Sequence, residues 1–324
     1  MKPSVSVVIP SFNYGRFLED AVRSVWAQTS PAQQIIVSDD GSRDDSVAVA
    51  HALAARSPVP LLVIASEHVG LHESLNRSLR ASTGEVVAFL AADDRWTPDY
   101  LAAQLAHFER SPAVALAHCD FSLIDADGRP LPTPESSNPP AEGRCLEGLL
   151  RGTVTMRTGP AVRREVALSF GGFDPTYPQE DWSFYLRCAA HGELGFSPAR
   201  LVERRIHGSN ASVKFAGART WEHALKAAAV PLLEELSPSR EVMLDALAFH
   251  VGVLVRSSLH AGEFEAAARV VAGATRQHPE LARRLALSTA RGLASFSWDR
   301  TGRRWLAGPQ LARIEAVLRK AARL

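Results

Sequence analysis

Glu85-Val-Val-Ala-Phe-Leu-Ala-Ala-Asp-Asp-Arg-Trp96 is the stretch whose reading decides the fold. Val86 to Leu90 is short, β-branched and aromatic, with no polar alternation, as a strand buried on both faces of a parallel sheet would be. The run stops at Asp93 and Asp94, so both acids are expected just past the carboxyl end of a strand. Open α/β sheets bind ligands there. Adjacent carboxylates repel one another unless a cation or donors offset the charge, and hard divalent ions favour such oxygens. The pair therefore reads as a metal and phosphate site. A solvated turn that caps the next helix is the competing reading, because Asp is a good N-cap and Pro98 suits a first helical turn.

Working outward, Val5 to Ile9 reads as a buried strand closed by Pro10-Ser-Phe-Asn-Tyr-Gly15, and Phe17, Leu18, Ala21, Val22, Val25 and Trp26 recur at helical spacing. Ile35 to Val37 is a second strand running into Asp39 and Asp40. Ser42 reads as the N-cap of an alanine-rich helix to Ala55, with Asp45 three residues on and Asp44 as a helix-start residue. A third strand (Leu61 to Ala65) and helix (Leu71 to Ala81) precede the central stretch, and a helix (Pro98 to Arg110) and strand (Val114 to Cys119) follow it. Strand and helix alternating at this rhythm imply right-handed crossovers and a parallel sheet, so Asp39, Asp40, Asp93 and Asp94 are expected along one crevice. Residues 129–144 hold five prolines among serines and glycines and read as a surface loop, either a lid or a plain excursion. Beyond it come Gly171-Gly-Phe-Asp174, then Glu180-Asp181-Trp182 opening a helix, then a strand from Leu201 to Ile206 ending at His207.

The net charge of +1 over 324 residues conceals an asymmetry: residues 240–324 carry +7 and residues 1–239 carry −6. Apolar content of 46% and charged content of 22% are those of an ordinary soluble protein. Cys119, Cys145 and Cys188 have no metal or disulfide spacing, which points to a reducing, cytoplasmic setting. The apolar run after Lys2 is too short for a signal peptide, and no stretch is long enough to span a membrane. Asn76-Arg-Ser and Asn210-Ala-Ser are then chance matches to a glycosylation pattern. The first turn lacks a G-x-G-x-x-G fingerprint and no Walker A motif is present, which excludes the common dinucleotide and P-loop readings.

Pro10-Ser-Phe-Asn13, Asp39-Asp-Gly-Ser42 with Asp44, Gly70-Leu71 followed by Asn76, Gly84-Glu85, the Asp93-Asp94 pair, Gly171-Gly-Phe-Asp174 and Glu180-Asp181 occur in the order and spacing of family 2 glycosyltransferases. The chain resembles that family over residues 4–212, about two thirds of its length. The resemblance implies the GT-A fold: an α/β, Rossmann-like, mostly parallel sheet flanked by helices. It would occupy residues 1–215, with a nucleotide-binding half to about residue 125, an acceptor-side half over about 145–215, and an α-helical extension over 216–324. It implies an inverting transfer of a sugar from a nucleotide-sugar donor, a UDP-sugar above all, to an acceptor hydroxyl in polysaccharide, lipid-linked oligosaccharide or a glycoside. Pro10, Phe12 and Asn13 would line the nucleotide pocket. Asp39 or Asp40 would accept a hydrogen bond from the base. Asp93 would sit by ribose and phosphate and share a divalent metal, Mn²⁺ or Mg²⁺, with Asp94, and His207 would complete the metal site. Asp181 would be the catalytic base, at a helix start whose dipole keeps it ionised.

The chain departs from the family pattern twice. Leu90-Ala91-Ala92-Asp93-Asp94 stands where Leu-Asp-x-Asp-Asp is usual, and Leu75-Asn76 where many members have Arg-Asn, leaving Arg77 or Arg80 to meet the diphosphate. Two other readings stay in play. One is a nucleotidyltransferase or nucleotide-sugar hydrolase, which pyrophosphate or UDP release would separate; the other is a catalytically degenerate nucleotide-sugar-binding or scaffold protein, which Ala91 makes conceivable. From about Trp221 the pattern turns helical, with a hairpin-like Leu259-His-Ala-Gly-Glu-Phe-Glu-Ala-Ala-Ala268. Leu311, Ile314, Val317 and Leu318 share a helix side near Arg313, Arg319, Lys320 and Arg323. Packing on the protein's own acidic face ranks slightly ahead of a homo-oligomer contact, a partner-enzyme dock or peripheral contact with anionic lipid on the inner face of a membrane. No nucleic-acid partner is implied.

Overall fold

The computed structural model describes residues 2–136, 138–177, 180–210, 235–236, 238–260, 280, 281 and 284. Contacts divide the chain into two compact units, one of residues 1–149, 153–175 and 179–210, the other of 150–152, 176–178 and 211–324.

The first unit is built on one mixed sheet. Its elements are β1 (Val5–Ser11), α1 (Gly15–Trp26), β2 (Gln34–Asp40), α2 (Ser46–Ala54), β3 (Leu61–Ser66), α3 (Leu71–Ala81), β4 (Val86–Phe89) and β5 (Arg95–Trp96). Then come α4 (Tyr100–Arg110), β6 (Val114–Ile124), β7 (Pro130–Leu131), α5 (Leu146–Leu150), β8 (Thr158–Arg163), α6 (Arg164–Ser169), α7 (Glu180–His191) and β9 (Glu193–Arg205). Strand order is β3-β2-β1-β4-β8-β6-β9-β5, with β7 paired to β6. β1 to β4 run parallel, as the alternation predicts. β8 is antiparallel to both β4 and β6, and β6 is parallel to β9. The carboxyl ends of β1 to β4, β6 and β9 and the amino end of β8 therefore all meet at one edge.

Apolar side chains from both sheet faces make the core. Val5, Val7, Ile9, Ile35 and Val37 pack on Leu18, Val22 and Leu53 of α1 and α2, and Val86, Ala88 and Leu90 continue the layer. All four residues of β4 are buried, which is why its sequence shows no alternation. Trp96 is 3% exposed and stacks on Tyr100 with ring centroids 3.8 Å apart, so it serves the core.

Three local expectations need correction. α2 starts at Ser46, with Asp45 as its N-cap, because the Ser42 hydroxyl accepts the Asn13 N–H and donates to Asp39. The stretch 129–144 is not wholly free: Pro130–Leu131 pairs with β6 and Ala141 is fully buried. β9 extends from Glu193 and not from Leu201, with three register shifts against β6 that blur its alternation.

In the second unit, α8 (Arg240–His260) buries Val242, Leu244, Ala246, Leu247 and Ala248, and Arg284 and Arg151 both meet Asp245. The amphipathic segment around Leu311 to Arg323 and most of the hairpin 259–268 lie outside the described residues. Among the described residues no helix is long and apolar enough to cross a membrane.

Candidate active site

The acid pair sits on a turn made by the chain leaving β4. The Leu90 N–H still pairs with the Val8 carbonyl at 3.0 Å, and the Asp94 N–H then closes on the Ala91 carbonyl at 3.0 Å. Arg205, at the end of β9, fixes that turn from the other side. Its backbone N–H donates to Asp94 Oδ1 at 2.8 Å and its Nε to the Asp93 carbonyl at 2.8 Å. Its remaining donors reach Asp20 Oδ2 at 3.0 Å and the Ala126 carbonyl at 3.1 Å, and its guanidinium lies 5.0 Å from the Phe17 ring centre. A buried arginine with its donors all engaged holds the acids, α1 and the turn after β6 in one geometry.

His207 and Asn210 converge on Asp93. His207 Nε2 lies 3.1 Å from Asp93 Oδ2, and Asn210 Nδ2 donates to the same oxygen at 3.0 Å. The imidazole is packed against Phe17 and edge-on to Tyr14. Asp94 is pushed up to about 7, by burial first and by the Asp93 charge second. Such a carboxylate lacks a full counter-charge.

Among the described residues, no group of three or more His, Cys, Asp or Glu side chains is arranged to hold a metal ion. The chemistry of the pair nevertheless fits a hard divalent cation. Asp93 and Asp94 each keep one carboxylate oxygen without a partner among the described residues, and the raised Asp94 marks unmet negative charge. His207, as placed, is bonded to Asp93.

Across the edge, α7 presents Glu180 and Asp181 in its first turn. Asp94, Glu180 and Asp181 line one cavity of about 250 Å³, together with Pro10, Ala91, Thr158, Tyr185, Val202 and an aromatic wall of Phe89, Phe173 and Phe184. Phe173 and Phe184 stack with centroids 4.1 Å apart. The helix start expected to keep Asp181 ionised is outweighed: burial raises its carboxyl above the ordinary value, against opposing help from backbone N–H groups and from Arg204. Its side chain stays open to solvent while protein surrounds it on most sides, so the push is that of a concave wall and not of a sealed interior. Glu180 is raised too, by burial and then by Asp181.

The glycine-rich loop before α7 is held by Asn76 on α3. Asn76 Nδ2 donates to the Phe173 carbonyl at 2.7 Å, and its Oδ1 accepts the Phe173 N–H at 2.8 Å. Gly172 has φ +81°, and a Cβ there would come within 2.3 Å of Asn76 Oδ1. Only glycine suits that position.

The remaining expected residues gather at the ends of β1 and β2, beside the cavity and apart from its lining, Pro10 excepted. Asp39 accepts from the Ser42 N–H and hydroxyl at 2.8 and 2.6 Å. Asp40 accepts from the N–H groups of Val69 and Gly70 at 2.7 and 3.1 Å and faces His68. Asn13, at φ +59°, has its N–H on the Ser42 hydroxyl and its Oδ1 on the Arg43 N–H. Phe12 is 44% exposed beside the His68 ring. The two carboxylates thus order the loops that carry Phe12, Asn13 and His68. Arg77 and Arg80 are both paired with Glu73 and neither lines the cavity. Sequence reasoning missed Arg205, Tyr185 and the Thr158–Pro160 wall. The only sequence cue to them was the Gly159-Pro160 breaker pair.

This sheet order, with an acid turn after the fourth strand and an acidic helix start opposite, defines a protein of the GT-A kind. The glycosyl transferase family 2 model matches residues 6–167. An uncharacterised glycosyltransferase of Nostoc sp. is 30% identical over 241 residues, 71% of this chain and 73% of that one. The crystal structure of S. aureus TarS 1-349 in complex with UDP-GlcNAc superposes with a TM-score of 0.69 at 15% identity, covering 99% of this chain and 90% of that one. The mannosyltransferase PcManGT from Pyrobaculum calidifontis, in complex with GDP-Man and Mn²⁺, gives 0.58 at 18% identity, covering 99% and 86%. The chain belongs to glycosyl transferase family 2.

Proposed function

We propose that this glycosyltransferase moves a sugar from a nucleotide-sugar donor, a UDP-sugar, to an acceptor hydroxyl of a polysaccharide, lipid-linked oligosaccharide or glycoside, with inversion at the anomeric carbon. One observation carries the reading: Asp94 and Asp181, 87 positions apart in sequence, line the same sugar-sized cavity. Phe12, Asn13 and Pro10 form the nucleotide side, with Asp39 or Asp40 meeting the base and Asp93 beside the ribose and phosphate. Asp94 and the second oxygen of Asp93 would hold a divalent cation, with His207 as the further ligand once it exchanges its bond to Asp93. When bound, that cation offsets charge on the diphosphate.

Asp181 takes the proton of the acceptor hydroxyl. The acceptor oxygen bonds the anomeric carbon from the face opposite the diphosphate, and the bond to the β-phosphate oxygen breaks with its electron pair leaving on the nucleotide. An upward-shifted carboxyl suits this role, since a base works best with a pKa near the operating pH.

A donor screen by UDP, dTDP and GDP release with Mn²⁺ or Mg²⁺ tests the reading. Asp94→Ala should weaken donor binding and turnover together, whereas Asp181→Ala should leave donor binding intact and lower transfer by at least about a hundredfold. Full transfer by Asp181→Ala would refute it, as would a product that retains the donor's anomeric configuration. A second reading, a donor-binding protein without turnover, draws on Ala91, which lines the cavity where the family pattern has an acid. Metal-dependent UDP binding with no transfer to any of a broad acceptor panel would favour it.

A further inference from the structure

A donor diphosphate would enter an edge crowded with carboxylates, and the arginine that many family members carry at position 75 is leucine here. The obvious substitutes are spoken for. Arg77 and Arg80 pair with Glu73 at 3.1 and 2.8 Å, and Arg205 is buried with its donors committed.

Arg204 differs from all three. After the last register shift β9 pairs regularly with β6, Val202 against Phe121 and Arg204 against Leu123. Strand alternation then sends Val202 and Arg204 to one face and Glu203 and Arg205 to the other. Val202 lines the cavity and Arg204 follows it on the same face, just outside that lining, whereas Glu203 pairs with Arg95 of β5 and Arg205 turns to α1. The Arg204 guanidinium rests over the Phe121 ring, 5.0 Å from its centre, and forms no ion pair with any described acid. Its backbone adjoins the Arg205 N–H that holds Asp94. Its charge is felt at both Asp94 and Asp181, drawing each down against the larger upward push of burial.

We propose that Arg204 is the residue that binds the β-phosphate of the donor, taking the part left open by Leu75. The inference rests on the nucleotide-sugar reading above. A planar guanidinium carried on an aromatic face keeps its donors directed outward, and a phosphate presents the paired acceptors that suit its fork. The same contact persists on the nucleoside diphosphate that leaves, where the electron pair of the broken bond comes to rest.

Calorimetry of the full chain with UMP and UDP, each with and without Mn²⁺, tests the assignment. If the donor screen identifies another base, its mono- and diphosphate replace them. Arg204→Gln should leave UMP affinity unchanged and weaken UDP about ten- to hundredfold, as the loss of a charged hydrogen-bond pair implies. Arg204→Lys should recover part of that loss, because the point charge remains and the fork does not. Equal UDP affinity in wild type and Arg204→Gln would overturn the proposal and leave the nucleotide-sugar reading standing. Parallel loss of UMP and UDP in both variants would overturn it too, since the role would then be structural. A wild-type chain that binds no nucleoside diphosphate would remove the reading itself.

Discussion

Asp94 is held in a state that costs stability whenever it is ionised. Its carboxyl sits at about 7 in the folded chain against an ordinary 3.8, through burial and then the neighbouring Asp93. Between those two values the folded protein binds more protons than the unfolded chain, so this residue contributes stability at low pH that is lost as pH rises toward 7. Asparagine cannot ionise and still accepts the Arg205 N–H through its side-chain carbonyl. Asp94→Asn should therefore melt about 2–4 °C above wild type at pH 8 in chelator, the shift expected of a change near 1 kcal/mol in a domain of this size, and match wild type near pH 4. The same variant should lose transfer. Thermal scans at the two pH values check both halves of the sign, and a variant less stable than wild type at pH 8 would mean that the Asp94 charge is compensated within the fold.

At the scale of elements, the aim of α7 depends on a clamp from α3. Both amide atoms of Asn76 are spent on the backbone of Phe173, which in turn stacks on Phe184 of α7. Asn76→Ala would leave a buried N–H and carbonyl unpaired, at a cost of roughly 1–3 kcal/mol each at most. It should lower both the melting temperature and transfer while leaving UMP binding intact, because β1 and β2 are untouched. Loss of UMP binding would show that α3 serves the nucleotide side directly. How far such devices can be read from sequence differs by element. The bounds of α3, Leu71–Ala81, coincide with the predicted helix, and β4 lies where its apolar run puts it, because propensity and burial agree there. β8 stayed hidden, since Thr158-Gly-Pro-Ala-Val-Arg163 carries two breakers. Gly159 sits at φ +59° against Tyr100 and Val202, and the β6 register shifts beside it. The N-cap reading of Ser42 failed because its hydroxyl oxygen accepts from a residue distant in sequence, the Asn13 N–H, while its proton goes to Asp39. The acids of the site were legible as spaced residues, but which of them meet, and that Arg205 binds their turn, are facts of strand register that no single segment encodes.

Over the molecule as a whole, a sheet with its parallel strand ends at one edge brings Asp39, Asp40, Asp93, Asp94, Glu180 and Asp181 to that edge. Residues 1–239 carry −6 in all, so these acids are not offset by the segment's own net charge. A nucleoside diphosphate entering such a field is repelled unless positive charge arrives with it. Arg204 supplies a single unit, which is too little to offset both the acid pair and a diphosphate. Cation and donor should therefore bind cooperatively. Linkage requires the coupling to be reciprocal: whatever factor Mn²⁺ adds to UDP affinity, UDP must add to Mn²⁺ affinity. A factor of about ten or more is expected, within the usual range of about 5–150-fold for coupled sites. Asp94→Ala should reduce it toward one, while Asp181→Ala, on the acceptor side, should leave it unchanged. Titrating each ligand in the presence and absence of the other closes the thermodynamic cycle. Equal factors that vanish together in Asp94→Ala place one cation between the acid turn and the diphosphate, whereas a coupling of one in wild type would mean that the protein handles the diphosphate with its own arginines alone.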